Sequence, residues 1–302
     1  MSTAGYQALR EGAAWLDLDG RGRFRARGED RARLLHAMCT NHVQQMKPGD
    51  CCYAFFLNAQ GRILSDAELV CLDEYILLDT EGAAHEELYQ HLDKFIIADD
   101  VTLEDARQDT ACLGVEGPGA EAVLAAFGGD SVARSTATMT GAPGGRLYVP
   151  AAEKADWIAK LETAGAVAAS SEDGEAVRLE NFRPRYGADI LGKHLVQETQ
   201  MLRAVHFSKG CYLGQEIVER VRSRGAVHRL LVPLYVEGSE VPPAGTQVNS
   251  GEDKAGDLMS GAYSPALGKV VAFAYVRSDK AQPGTALIVA GAAATVAAEK
   301  GR

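Results

Sequence analysis

No stretch of this 302-residue chain is apolar for long enough to cross a bilayer, so a membrane-spanning helix is not expected. The first residues, Met1-Ser2-Thr3-Ala4-Gly5-Tyr6, lack the basic-then-apolar order of a secretory signal, and a cytoplasmic location is expected. Cysteine is sparse. The six present, Cys39, Cys51, Cys52, Cys71, Cys112 and Cys211, form no CxxC pair and no regular spacing, which argues against a disulfide framework and for reduced thiols. HExxH, EF-hand and zinc-ribbon spacings are missing, so the residues give no basis for a metal site built from this chain alone. Positive charge is in deficit too: the net charge of −10 argues against a general nucleic-acid binder.

What is present is an ordinary globular composition, 46% hydrophobic and 24% charged, in a chain long enough for two or three domains of about 100 residues each. Charge is unevenly spread. From Arg178 to Arg229 there are ten Lys/Arg against five Asp/Glu, a local +5 that leaves −15 for the remainder. This segment is either a solvated basic face or the side that meets an anionic partner.

Two segments repeat one order of elements. Phe24–Leu35 reads as a strand, a turn at Gly28 and an amphipathic helix; Leu113–Leu124 repeats that order 89 positions later. Tyr75–Leu78 then precedes a helical pattern at His85–Phe95, as Arg146–Val149 precedes Ala155–Ala164. Two related α+β subdomains are therefore expected, over 1–105 and 106–226. The second copy contains Gly117-x-Gly119-x-x-Ala122, nominally a dinucleotide fingerprint, but no acidic residue follows at ribose-binding distance and the first copy has only Gly28, so a nucleotide site is rejected. Beyond Gly225 the chain changes to short alternating runs separated by turn residues: Leu230–Val236, Lys269–Val276 and Ala286–Val289. This predicts a β-barrel over 227–302, with Asn249–Lys254 as an exposed loop.

The most specific segment is Lys209-Gly210-Cys211-Tyr212-Leu213-Gly214-Gln215-Glu216, followed by a helical run from Gln215 to Val221. A lysine beside a cysteine at the mouth of a helix favours thiolate, because an ammonium and free helix N–H groups both stabilise the anion. The same residue types also fit a buried cysteine in a tight turn.

This octamer, together with Arg178-Leu179-Glu180, Pro184-Arg185-Tyr186-Gly187, Arg220 and Gly225, resembles the YgfZ-type folate-binding proteins, relatives of the glycine-cleavage aminomethyltransferases. The seven fixed positions of that family's Lys-Gly-Cys-Tyr-x-Gly-Gln-Glu signature are all present. The resemblance covers essentially the whole chain and implies an α+β fold: a folate-binding first subdomain, a second carrying the octamer, and the C-terminal β-barrel, arranged around a central opening.

The resemblance implies tetrahydrofolate, or a one-carbon derivative of it, as cofactor. It implies Cys211 as the working thiol and Glu180 as the carboxylate that meets the pteridine edge. Tyr186, Tyr212 and Phe182 are candidates for walls to the rings, and Arg220 or Arg222 for partners of the glutamate tail. Lys209 and Gln215 belong to the same binding segment. Asn58-Ala59-Gln60-Gly61-Arg62-Ile63-Leu64-Ser65-Asp66 resembles the aminomethyltransferase segment that ends in a paired Asp-Asp. Here the pair is Ser65-Asp66, so Asp66 is either an acid or folate ligand, or a strand-end aspartate bonded to its own turn.

The function implied is an accessory protein supporting iron–sulfur cluster assembly or repair in client enzymes, tRNA-modifying ones among them. Its partners would be folate and iron–sulfur client or assembly proteins, and its thiol would make a transient cluster contact. The alternative is a folate-dependent aminomethyltransferase or demethylase. An RNA-binding role for the basic segment lacks any nucleic-acid motif, and neither direct nucleic-acid nor membrane binding is expected.

Overall fold

The computed structural model describes residues 2–128, 132–225 and 227–298. The first part of the chain forms α1 (Ala4–Glu11), β1 (Ala14–Asp17), β2 (Gly22–Arg27), α2 (Arg31–Met38), β3 (Cys51–Leu57), β4 (Ile63–Cys71), β5 (Ile76–Thr80), α3 (His85–Asp93) and β6 (Thr102–Asp105). The repeat follows as β7 (Thr110–Glu116), α4 (Ala120–Ala125), β8 (Ala133–Ser135), β9 (Gly144–Pro150), α5 (Lys154–Thr163), β10 (Val167–Ala169) and α6 (Ser171–Glu180). A long irregular stretch then leads to α7 (Gln215–Arg224). The C-terminal strands are β11 (Arg229–Val236), β12 (Gln247–Ser250), β13 (Asp253–Ser264), β14 (Lys269–Arg277), β15 (Ala286–Val289) and β16 (Ala292–Val296).

These strands make two five-stranded sheets, ordered β3-β4-β5-β2-β6 and β10-β1-β7-β9-β8, and a closed six-stranded barrel, β11-β14-β13-β12-β15-β16. The fold is therefore α+β with a C-terminal barrel. Residues 4–17 lie with the second sheet, β1 pairing antiparallel with β7 and parallel with β10, so segment 1–105 supplies strands to both sheets. Asn249–Lys254 is not a loop: Asn249 and Ser250 end β12, Asp253 and Lys254 begin β13, and only Gly251 and Glu252 turn the hairpin.

Strand alternation sorts each sheet into two faces. One face of the first sheet, with Phe24, Ala54, Phe56, Leu69 and Leu78, packs under Leu35 of α2 and Leu88 and Leu92 of α3. One face of the second, with Leu113, Val115, Leu147 and Val149, packs under Val123, Trp157 and Leu161. The remaining two faces meet each other, giving helix–sheet–sheet–helix layers. At one end of that interface Val70 and Leu77 pack against Cys112, Tyr148 and Leu16.

The turn at Gly117–Gly119 does not form a phosphate cradle. The Gly119 N–H donates to Gly12 O at 2.7 Å, and the helix after it is only six residues long. A ridge of the barrel's outer surface, with Leu231, Val271, Phe273 and Tyr275, packs on Phe55, Leu57, Ile63, Leu179 and Met201 and fixes the barrel at the mouth of the two-sheet interface.

Candidate functional site

The apolar contact between the sheets gives way to charge along β4 and β5. Their antiparallel register pairs Val70 with Leu77 and Glu68 with Asp79 on this face. The same face carries Tyr53 opposite Glu68 and Phe55 opposite Asp66 from β3, and Arg23 opposite Asp79 from β2. This end opens into a narrow cleft of about 40 Å³ lined by Arg21, Tyr53, Asp66, Glu68, Glu81 and Arg146, with Arg183, Arg185 and Arg203 at its rim.

The charges divide into a closed set and an open one. Asp79, fully buried, accepts from Arg146 Nη1 (2.7 Å), Tyr148 Oη (2.7 Å) and Arg21 Nε (2.5 Å). Burial alone would push its carboxyl up, but the two guanidiniums hold it down at about 2. Asp66 is incomplete. Its Oδ2 accepts from Tyr53 Oη at 2.7 Å, while Oδ1 is buried with no partner among the described residues. Burial, followed by the charge of Glu81, pushes Asp66 up to about 6. Burial and the charge of Asp66 likewise push the Tyr53 hydroxyl well above its usual range, so that oxygen keeps its proton and donates it. Asp66 lies within β4, not at a strand end making turn bonds. An unfilled carboxylate oxygen in a solvent-connected cleft is an acceptor, or when protonated a donor, reserved for a ligand.

The octamer occupies a different place. Cys211 is exposed, four residues before α7, and is not among the residues that line the cleft. Lys209 does not serve it. The ammonium is buried and donates to the carbonyls of His36 and Cys39 at the end of α2, the second at 2.7 Å, over the ring of Tyr212 at 4.9 Å. Tyr212 is buried in the core beneath the barrel, its N–H held by Gln215 Oε1 at 3.1 Å. Lys209, Tyr212 and Gln215 thus shape the loop rather than face the cleft.

The octamer and the Asn58–Gly61 turn, far apart in sequence, meet. A Cβ at Gly214 would come within 2.6 Å of Asn58 O, and one at Gly61 within 2.6 Å of the Ile217 Cβ, so only glycine lets the two backbones approach.

Glu180 is enclosed elsewhere. It accepts from Tyr6 Oη (2.5 Å), Ser264 Oγ (2.5 Å) and the Arg10 guanidinium, tying α1 and β13 to the end of α6. Its neighbours line a separate depression with Arg10 and Asn181. Tyr186 is half-buried and donates to Leu64 O beside the cleft, its hydroxyl pushed up to about 12 by burial and by Glu87 and Asp66. Phe182 packs on Tyr235 of the barrel, with ring centroids 5.9 Å apart. Arg220 and Arg222 lie on α7 away from the cleft, Arg222 stacked over Phe207 at 4.3 Å and paired with Glu219. Of the rim arginines that do face the cleft, Arg185 appeared only within its motif, and Arg183, Arg203, Glu68 and Glu81 were not singled out in the sequence. For Glu68, its place in the β4 alternation was the available signal.

Residues 1–140 match the GCVT N-terminal domain family, and residues 229–300 match the glycine cleavage T-protein C-terminal barrel domain family. Both matched domains are those of the glycine cleavage T-protein superfamily. Among relatives, the aminomethyltransferase of Rubrobacter xylanophilus is 28% identical over 90% of this chain and 78% of its own length. That of Streptomyces coelicolor is 29% identical over 92% and 82%. The glycine cleavage system aminomethyltransferase T of Bartonella henselae superposes with a TM-score of 0.87 at 19% identity, over 97% of this chain and 87% of that one, which shows the shared fold. Among the described residues no helix is long and apolar enough to cross a membrane, and no group of three or more His, Cys, Asp or Glu is arranged to hold a metal ion.

Proposed function

We propose that this protein binds a reduced folate in the cleft between its two sheets, and that it acts as an accessory factor in iron–sulfur cluster assembly or repair through the exposed Cys211. The observation that carries the folate reading is the buried, unpartnered Oδ1 of Asp66. A pteridine edge offers amino and ring N–H groups that suit a carboxyl, and with Glu180 committed to Tyr6, Arg10 and Ser264, Asp66 is the cleft carboxyl whose unfilled oxygen is free to meet them. Tyr53, Met139 and Met201 supply walls for the rings, and Arg183, Arg185 and Arg203 supply cations for the carboxylates of the tail. When bound, a reduced folate supplies a nitrogen-borne one-carbon unit. The chain's own part is to orient the ring on Asp66, hold a proton there and exclude water with the sheet interface.

For the accessory role, the supporting observation is an exposed thiol on a loop clamped to α2, within an octamer that resembles the YgfZ-type signature. One thiol cannot hold a cluster, since four ligands are the norm, so the cluster would be cargo completed by ligands of a client protein. Cluster-dependent enzymes, tRNA-modifying ones among them, should lose activity in cells carrying Cys211→Ser. Undiminished activity would remove this role.

The second reading is a folate-dependent aminomethyltransferase, favoured by the names of the relatives and by the acid Asp66 poised in the cleft. It requires methylene-folate to form when the protein is incubated with tetrahydrofolate and amine donors, and Asp66→Asn to abolish that turnover. Calorimetry with tetrahydrofolate tests what both readings share.

A further inference from the structure

Where the aminomethyltransferase segment carries two adjacent carboxylates, this chain has Ser65-Asp66, yet the fold brings a second carboxylate to Asp66 from another strand. Ser65 lies on the helix-covered face, opposite Phe56, its hydroxyl within 2.9 Å of Thr80 Oγ1. Asp66 lies on the cleft face. Continuing the register that pairs Glu68 with Asp79 by one more step along that face sets Asp66 opposite Glu81, and both line the cleft. Side chains directly opposite on one face of an antiparallel pair stand about 5 Å apart at Cβ, close enough for two carboxyls to feel one another strongly.

We propose that Glu81 is a positioning residue for Asp66: its charge favours the protonated carboxyl, and Oδ1–H presents that proton to a basic nitrogen of the bound ligand. The proposal rests on the folate reading for the identity of that ligand. The proton leaves Oδ1–H for the nitrogen lone pair, one O–H bond breaks as one N–H bond forms, and Asp66 is left as a carboxylate bonded to Tyr53 and to the new N–H. Solvent restores the proton after the ligand departs. The unpartnered Oδ1 gives the donor its direction, and the rise of Asp66 to about 6, caused first by burial and next by the charge of Glu81, fits this assignment.

Other groups face Asp66 from every side. Tyr53 comes from β3, Glu68 from β4 itself, Asp79 from β5, and Arg21 and Arg23 from β2 and the turn before it. Arg146 and Tyr148 come from β9, while Tyr186, Arg183, Arg185 and Arg203 come from the loops. Asp79 absorbs Arg21, Arg146 and Tyr148. Glu81 meets Arg21 and Arg185, the latter at 3.4 Å, so its side chain is held in place by two guanidiniums.

The test is a carbon-13 NMR titration of the Asp66 carboxyl in the full chain, without ligand. The midpoint should lie near 6 in the parent. It should fall toward the ordinary aspartate value of about 4 in Glu81→Gln and return in Glu81→Asp. An unmoved midpoint in folded Glu81→Gln overturns the proposal. Should that variant not fold, Arg185→Gln removes a cation from the pair and should raise the midpoint, and no rise is equally fatal. The ligand half is read separately, as the pH dependence of tetrahydrofolate affinity. Binding that ignores the protonation of Asp66 overturns proton donation, whereas no binding at any pH, with the midpoints moving as stated, removes the folate reading and leaves the Asp66–Glu81 coupling standing.

Discussion

Lys209 and His36 each hold the other's backbone carbonyl. The ammonium donates to His36 O, and the imidazole Nε2 lies 2.9 Å from Lys209 O; the Val43 and Gln44 N–H groups at Nδ1 assign the proton to Nε2. Two further backbone bonds, Leu213 N–H to Ala37 O (3.0 Å) and His206 N–H to Thr40 O (2.9 Å), complete the seam between the Cys211 loop and α2.

Removing the ammonium should loosen this seam. Lys209→Met leaves the His36 and Cys39 carbonyls buried without their donor, at a cost of about 1–3 kcal/mol, and should speed hydrogen exchange at the Leu213 and His206 amides first. Exchange unchanged at those two amides would show that the clasp does not hold the loop.

Lowering the pH should act on the same seam. His36 is held below its ordinary range, chiefly by burial, while Nδ1 must stay unprotonated to accept from the Val43 amide. A histidine depressed on folding binds fewer protons in the native state than in the unfolded one. Stability is therefore intact above the unfolded value of about 6.5 and falls as pH drops below it toward the folded value. Exchange at the Leu213 amide should rise across this window in the parent and stay flat in His36→Gln.

The thiols should sort by exposure. Cys211 should react with a maleimide in the native protein, whereas buried Cys39, Cys71 and Cys112, their thiols pushed up by burial, should label only on unfolding. Mass spectrometry of briefly labelled protein should find the adduct on the peptide containing Cys211.

How much of this was legible in the sequence depends on the range of the interaction. The strand-turn-helix copies and the alternating runs of the barrel are local patterns, and Phe24–Leu35 and Leu230–Val236 read correctly because burial follows period 2 or 3.6. Lys209 looked like a neighbour of Cys211 because the two are close in sequence, but its charge goes to α2, some 170 residues earlier. Ser65-Asp66-Ala67-Glu68 has the alternation of a strand with one wet face. That face is covered, because Arg146 and Tyr148 of the second sheet complement it, and no local pattern records a pairing between sheets. Glu180 was recognisable as important by its motif, but its partners Tyr6 and Ser264 lie 174 and 84 residues away.

Glu180 should therefore behave as a joint between domains. Glu180→Ala leaves the Tyr6 hydroxyl and the Ser264 hydroxyl without their acceptor and should cost about 2–4 kcal/mol, read as a lower midpoint in urea unfolding. A loss below about 0.5 kcal/mol would mean that the three-way contact is not maintained in solution.

Asp66 should show the opposite sign. Its native value of about 6 lies above the unfolded value near 4, so the folded state holds the extra proton. The linkage sign is then fixed: stability is full below about 4, falls as pH rises through the window from 4 to 6, and above 6 carries the whole cost of ionising a buried carboxyl, on the order of 2–3 kcal/mol. Asp66→Asn removes that cost and should unfold at a higher temperature than the parent at pH 7.5, with the advantage gone at pH 4. The same substitution should weaken tetrahydrofolate binding, because the amide cannot supply a titrating proton at Oδ1. A variant more stable yet less able to bind is what a strained ligand-facing group produces, and a substitution neutral in both measurements would mean that Asp66 is neither strained nor in contact with the ligand.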